Sequence, residues 1–208
     1  VTNEVAFWSL DNNTNDITNS NNERTGDGTT PTFSTDAIQG THSASFNGTD
    51  NRIRYSQDGG FMEQSYTQIS FSAWIKPTNV SGDRGIYEEG GGTHGSILWL
   101  DDGVLTYSTR NNSTQTNVTH PTTLTVDNQW HHVAATFNGS SLKLYVDGAQ
   151  IASKNTTFNT VLSHFHLGKR GNNNSELFAG MIDEVRVWNY ARTAAQILSD
   201  KSKSLQGN

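Results

Sequence analysis

The segment from Gln129 to Lys154, QWHHVAATFNGSSLKLYVDGAQIASK, constrains the fold more than any other part of the chain. Between Trp130 and Phe137 the side chains alternate. His131, Val133, Ala135 and Phe137 fall on one face, and Trp130, His132, Ala134 and Thr136 on the other. Leu142, Leu144 and Val146 repeat with the same spacing, and Ala149 to Ser153 follow. Alternation of this kind belongs to strands, whose successive side chains leave opposite faces of a sheet. Asn138-Gly139 and Asp147-Gly148 separate the runs. Such pairs readily adopt the positive backbone angles that two-residue hairpin turns require. The reading is an antiparallel meander.

The same test extends along the chain. Gln68 to Lys76 alternates, with Ile69, Phe71, Ala73 and Ile75 on one face, and Pro77 is expected to end it. Shorter strands are expected at Glu4–Ser9, Ala44–Phe46, Arg52–Tyr55, Arg84–Glu89, Ser96–Leu100, Val104–Thr109 and His164–Gly168, and a longer one at Phe178–Asn189. Leu10–Thr35 and Asn111–Pro121 are polar without periodicity and read as loops, and Phe61–Ser65 as one helical turn. Thr193-Ala-Ala-Gln196 has the form of a capping box, opening a short helix docked by Ile197 and Leu198. No repeat, linker or second core is visible. The expectation is one all-β domain over residues 1–208, a two-sheet antiparallel sandwich or jelly roll with one short C-terminal helix.

A net charge of −6 argues against nucleic acid as a partner, and no apolar run is long enough for membrane insertion. The absence of cysteine leaves the redox compartment open. Asn, Ser and Thr are abundant, as in surface-exposed bacterial β-proteins, and the abrupt start reads as a segment of a larger secreted chain with other domains as neighbours.

Three segments in order resemble the laminin-G-like jelly-roll domains of the concanavalin A-like lectin/glucanase superfamily. They are Phe71-Ser-Ala-Trp-Ile-Lys-Pro77, then Trp130-His-His-Val-Ala-Ala-Thr-Phe137 with Leu144-Tyr-Val-Asp-Gly148, and finally Phe178-Ala-Gly-Met-Ile-Asp-Glu-Val-Arg-Val-Trp188. Leu10–Asn22 is similar to that family's opening Asn/Asp loop, and Ala44-Ser-Phe-Asn-Gly48 to the strand after it. Arg192 and Gln196 depart from the usual Leu and Glu, and the loop lacks the common glycines. The resemblance implies a mostly non-catalytic extracellular module that binds glycans or holds other domains.

A retaining glucanase on this fold needs two carboxylates about 5 Å apart on one face. Asp183-Glu184 and Glu88-Glu89 are adjacent pairs, which alternation sends to opposite faces. A lyase set is available in Tyr107, Tyr87, His94 and Arg110, but any polar β-domain offers one. His131 and His132 point apart and cannot chelate together; His164 and His166 share a face without a third ligand. Phe7, Phe46, Phe71, Trp74, Phe137 and Trp188 read as packing residues. Tyr87, Trp99 and Tyr107 stand on neighbouring strands that form the family's glycan-facing surface, so they are the candidate sugar platform, with Arg84, His94 and Arg110 as polar contacts. The expected partner is a glycan or polysaccharide. The alternatives are a structural or adhesive spacer domain of a bacterial surface protein, and a polysaccharide lyase or hydrolase.

A structural calcium ion (Ca2+) is expected where the N-terminal loop meets the C-terminal strand. Calcium takes oxygen ligands, and the loop offers Asp11, Asp16 and Asn22. The resemblance adds the Asp183 carboxylate, with Thr41 and His42 as carbonyl donors.

Overall fold

The computed structural model describes residues 4–18, 29–55, 66–90, 94–112, 114–156, 165–171 and 176–204. Its strands are β1 (Glu4–Trp8), β2 (Thr32–Ser34), β3 (Ser43–Asn47), β4 (Ile53–Tyr55), β5 (Ile69–Asn79), β6 (Asp83–Gly90) and β7 (Gly95–Asp101). They continue as β8 (Val104–Asn111), β9 (Thr114–Thr123), β10 (His131–Phe137), β11 (Ser141–Val146), β12 (Ala149–Asn155), β13 (Phe165–Leu167) and β14 (Ala179–Trp188), and helix α1 (Ala194–Ser204) follows. An eight-stranded sheet has the order β12-β11-β10-β5-β14-β3-β2, with β1 also on β14; a six-stranded sheet has the order β4-β13-β6-β7-β8-β9. All named strand pairs are antiparallel, and the two sheets stack as a jelly-roll sandwich. No described helix is long and apolar enough to cross a membrane.

The meander forms as its alternation requires. Asp147 (φ 51°) and Gly148 (φ 84°) make a two-residue turn that leaves Val146 opposite Ala149. Asp102 (φ 46°) and Gly103 (φ 84°) do the same between β7 and β8, leaving Asp101 opposite Val104. The Asn138-Gly139 turn is longer than expected. Phe137 pairs with Leu142, and the Asn138 side-chain oxygen accepts from the backbone of Ser140 and Ser141, which holds the extra residues.

Three local expectations change. β5 runs through Pro77 to Asn79, because the register against β14 shifts between Ala179 and Gly180, beside the proline that lacks an N–H. Asn111–Pro121, read as a loop, contains most of β9. That strand lies at a sheet edge, so among its described side chains only Val118 is buried, and no hydrophobic alternation marks it. The stretch from Leu10 to Thr35 includes β2 near its end, while the proposed helical turn at Phe61–Ser65 lies outside the described residues.

The inner faces close over a run of rings. Phe71 stacks on Tyr87 at 4.3 Å between centroids, Tyr87 meets Phe165 at 5.2 Å, and Phe165 stacks on Trp8 at 4.8 Å. Val133, Ala135, Phe137, Leu142 and Leu144 of the meander pack against Leu98, Leu100 and Leu105 in the same core. Each fully buried large apolar side chain contributes about 1.5–3 kcal/mol relative to exposure. Outside the eight-stranded sheet, α1 presses Ile197 onto Ala134 and Tyr145. Its capping box forms as expected: Thr193 N–H donates to Gln196 Oε1 at 2.9 Å, and Gln196 N–H to Thr193 Oγ1 at 3.2 Å. Leu198, expected to dock, is 52% exposed.

Candidate functional site

The expected sugar platform does not assemble. Tyr87 and Tyr107 both pair across to Leu98, and all three side chains enter the core. Tyr87 donates to the Glu89 carboxylate and lies 3.0 Å from Ser96 Oγ. Burial raises both tyrosine hydroxyls well above their usual range, and burial pushes the Glu89 carboxyl up to about 7. Trp99 pairs with Gly85 and Thr106, the opposite row, so it leaves from the outer face. There the Arg170 guanidinium lies 4.4 Å over its ring and the residue is 2% exposed. Arg84 spends its guanidinium on the carbonyls of Ser81 and Leu177, Arg110 reaches Gln115, and His94 is half-buried just before β7. These six residues therefore do not share one face of the sheet.

Arg170 is brought over Trp99 by the approach of residues 168–171 and 176–177 to β6. Gly85 N–H donates to the Glu176 carbonyl at 3.1 Å, and Gly168 N–H to the Ile86 carbonyl at 2.9 Å. A Cβ at Gly85 would sit 2.2 Å from the Arg170 nitrogen, so only glycine allows this approach. Asp83 and Glu176 pair with the guanidinium from the sides. Glu88 also faces outward and accepts from Gly171 N–H at 2.7 Å; burial raises its carboxyl above the usual range. Glu88 and Glu89 do point apart, as alternation predicts.

The open aromatic site lies on the outer face of the eight-stranded sheet, where a cleft of about 590 Å³ is bordered by Ile38, Trp74, Lys76, Asn128, Gln129, Trp130, His131, Asp147 and Lys201. Trp130 is the half-buried residue ahead of β10, and its Nε1 donates to Asp36 Oδ1 at 3.0 Å. The same carboxylate pairs with Lys76 Nζ at 2.7 Å, and the bonds from Lys76 and Trp130 hold the Asp36 carboxyl below the usual range. The indole edge is thus anchored, while among the described residues no ring or cation covers its face. Trp74, expected in the core, instead forms part of the outer face, edge-on to His132 at 5.3 Å.

The histidines diverge as predicted. His131 Nδ1 lies 3.0 Å from Asp147 and Nε2 3.3 Å from Asp127; the Asp147 hydrogen bond is the largest influence raising its pKa. His132 is buried, which holds its pKa down at about 4, so it is neutral at pH 7 rather than the partly exposed residue expected. His164 lies outside the described residues. Two smaller clefts, one lined by Thr109, Asn111 and Thr116 and the other by Gln68, Lys143 and Arg192, present no aromatic ring.

The expected calcium ligands divide. Asp183 is fully buried and its Oδ2 accepts from the backbone N–H groups of Ile38 and Gln39 at 2.9 and 3.3 Å. Asp11 accepts from the backbone of Thr41 and His42 at 2.6 and 2.8 Å, so the two carboxylates grip one loop from both ends. Gly40, at φ 68°, permits that approach, since a Cβ there would overlap the Asp11 carboxylate. Gln39 Oε1 is buried without a hydrogen-bond partner. No Lys or Arg pairs with Asp183 among the described residues, and burial pushes its carboxyl up to about 7. Asp16 turns elsewhere, accepting from Phe7 N–H and from Thr18, and Asn22 lies outside the described residues. Among the described residues no three Asp, Glu, His or Cys side chains gather as a metal site. The expectation that Asp183 and Glu184 diverge across the sheet also fails. A register shift after Asp183 and a positive φ of 52° at Glu184 make a bulge, and Ile182 and Val185 both reach the core, keeping the acids between them off it.

Sequence reasoning missed Trp130 and its cleft. The signal was present: alternation places Trp130 opposite Val133 and Phe137, away from the core. Asp36, which anchors it, is 94 residues away and carries no local mark.

Over 79 residues the chain is 35% identical to pappalysin-1 of Homo sapiens and, equally, of Mus musculus; the match covers 35% of this chain and 5% of each relative. The chain therefore spans about 5% of the length of these curated relatives. Domain 4 of AbnA, a GH43 extracellular arabinanase from Geobacillus stearothermophilus solved with arabinotriose, superposes with a TM-score of 0.80 at 23% identity, over 95% of this chain and 98% of that one. The botulinum neurotoxin serotype G binding domain gives 0.77 at 12% identity, over 96% and 51%. A heptameric SAP-like pentraxin from Limulus polyphemus gives 0.62 at 18%, over 79% and 84%. At these identities the likeness is one of fold. The profile of the Laminin_G_3 family, of the concanavalin A-like lectin/glucanases superfamily, matches residues 47–198. That match runs from the end of β3 into α1 and takes in most of both sheets, so the chain belongs to this family.

Proposed function

We propose that the chain is a non-catalytic carbohydrate-binding module that acts outside the cell as part of a larger protein and holds a glycan in the cleft at Trp130. The observation that carries this reading is the anchored indole. Its edge is bound to Asp36, it borders the cleft beside the Asn128 and Gln129 amides, and among the described residues no ring or cation lies over its face. Sugars present apolar C–H faces that pack on aromatic rings, and amides serve their hydroxyls. The arabinotriose complex of AbnA domain 4 supports glycan binding by this fold. One carboxylate, Asp147, lines the cleft, whereas glycoside hydrolysis by the common routes takes a pair.

The reading includes a structural calcium ion held by Asp183 and Asp11, with the Gln39 amide oxygen and backbone carbonyls such as those of Thr41 and His42. The buried Asp183 carboxylate, which no Lys or Arg pairs with among the described residues, and the unpartnered Gln39 oxygen fit such an ion. The ion would offset that buried charge and stiffen the loop whose Ile38 forms one wall of the cleft.

Wild-type protein and Trp130→Ala should be tested on an array of neutral and acidic polysaccharides. Retention by the wild type, with about 5- to 30-fold weaker binding by the variant, is the expected result for losing one ring contact of about 1–2 kcal/mol. An array on which the wild type retains nothing overturns the proposal.

A further inference from the structure

We infer that the Trp130 cleft selects uncharged sugars and disfavours glycans bearing carboxylate or sulfate. The inference rests on the glycan-binding reading above and narrows it. Three cations border the cleft, Lys76, His131 and Lys201, and three carboxylates stand against them, Asp36, Asp127 and Asp147. Lys76 Nζ is 2.7 Å from Asp36 Oδ2, and His131 lies between Asp147 and Asp127 at 3.0 and 3.3 Å. Both imidazole nitrogens face carboxylate oxygens. A neutral ring carries one N–H and would turn a lone pair toward one of them, so this geometry favours the imidazolium. Lys201 Nζ donates to the Asp147 carbonyl at 3.1 Å, and its charge acts on the Asp147 carboxylate.

The cleft is therefore neutralised from within. An entering carboxylate or sulfate meets the Asp147 charge in the wall, and two of the three cations, Lys76 and His131, are already paired with carboxylates. Apart from the Lys201 ammonium, which keeps donors beyond the one given to the Asp147 carbonyl, the polar groups still free are uncharged. The side chains of Asn128 and Gln129 are exposed at the rim, where each amide supplies donors and an acceptor, which is what a sugar hydroxyl needs. Trp130 adds a ring face and no proton, because its N–H is already bound to Asp36. A hydroxyl-rich, uncharged oligosaccharide is the ligand that uses these groups without breaking an ion pair.

The test is calorimetric titration of the intact protein with neutral oligosaccharides of arabinan, galactan, xylan and glucan, and with oligogalacturonate, sialyllactose and heparin fragments. Each titration is run at ionic strengths of about 0.01 and about 1 M, where the Debye length falls from about 30 to about 3 Å. The expected result is binding of a neutral oligosaccharide that changes by less than about twofold with salt and is weakened by Trp130→Ala. Acidic glycans binding about tenfold tighter than any neutral one, with affinity falling in salt and lost in Lys201→Met, would overturn the selectivity while leaving glycan binding intact. Neutral binding that Trp130→Ala leaves unchanged would place the sugar outside this cleft and also overturn it. Silence toward every glycan would instead remove the binding reading itself.

Discussion

Trp99 and Trp130 leave the outer faces of the two sheets, and each is held by a charged partner. They differ in which part of the indole is held. Arg170 covers the face of Trp99 and is itself fixed by Asp83 and Glu176, so that ring is sealed. Asp36 takes only the edge of Trp130, and among the described residues no ring or cation lies over its face. An aromatic residue near polar neighbours is therefore not yet a binding platform. What decides is whether the charged group consumes the π-face or the N–H.

The largest effect expected is on Trp99→Ala. Losing a buried indole costs about 3–5 kcal/mol, to be read from urea denaturation, while glycan affinity of the folded fraction stays unchanged. If that variant lost binding at full stability, the two tryptophans would have to exchange roles.

Next comes the loop that forms the cleft wall. Asp183 has its folded pKa raised from 3.8 to about 7, so without a cation its contribution is fully present below about pH 4 and is lost as pH rises toward 7. Calcium binds the ionised form and should restore that loss. Chelator should then lower the melting temperature at pH 8 far more than at pH 5. Free calcium at about 100 times its Kd corresponds to about 2.7 kcal/mol. Glu89 rises to about 7 as well, but it faces the core, so its share of the pH slope should be the same with calcium or chelator. Asp183→Asn should abolish the calcium effect. A melting temperature indifferent to calcium at both pH values excludes the ion.

Trp130→Ala should weaken glycan binding while lowering the melting temperature by only about 2–4 °C, the equivalent of one hydrogen bond of about 1 kcal/mol. A drop as large as that of Trp99→Ala would erase the contrast between them. The smallest effect concerns His131. Its pKa is raised by Asp147 and Asp127, so the contribution is complete below pH 6.5 and is lost above it as the ring deprotonates. Partial exposure keeps this under about 1 kcal/mol, and a pH titration of stability should lose that component in His131→Gln.

The meander, β5, β14 and the capped helix were legible because local chemistry states them: alternation, Asp-Gly turns and the Thr193–Gln196 box. β9 was not, since an edge strand with only Val118 turned inward needs no apolar rhythm. The error at Trp99 was avoidable. The two-residue turn at Asp102-Gly103 sets Asp101 opposite Val104, which places Trp99 opposite Thr106 and on the other face from Tyr107. Asp183 was legible through its motif, whereas the bulge at Glu184 was not, because it shows as backbone geometry. The cleft was beyond reach for another reason. It joins side chains from the loop before β3, from β5, from β10 and from α1, and only the closed sandwich brings them together.

Gly85 gives the six-stranded sheet an unusual mutational profile. It occupies no turn, yet any side chain there collides with the backbone of Lys169 and Arg170. Substitution at this one position displaces the backbone of Lys169 and Arg170 and with it the guanidinium that seals Trp99. Arg170 can cover Trp99 only on a background that keeps the glycine. Among homologues, the tryptophan and arginine should disappear as a pair wherever position 85 has acquired a Cβ.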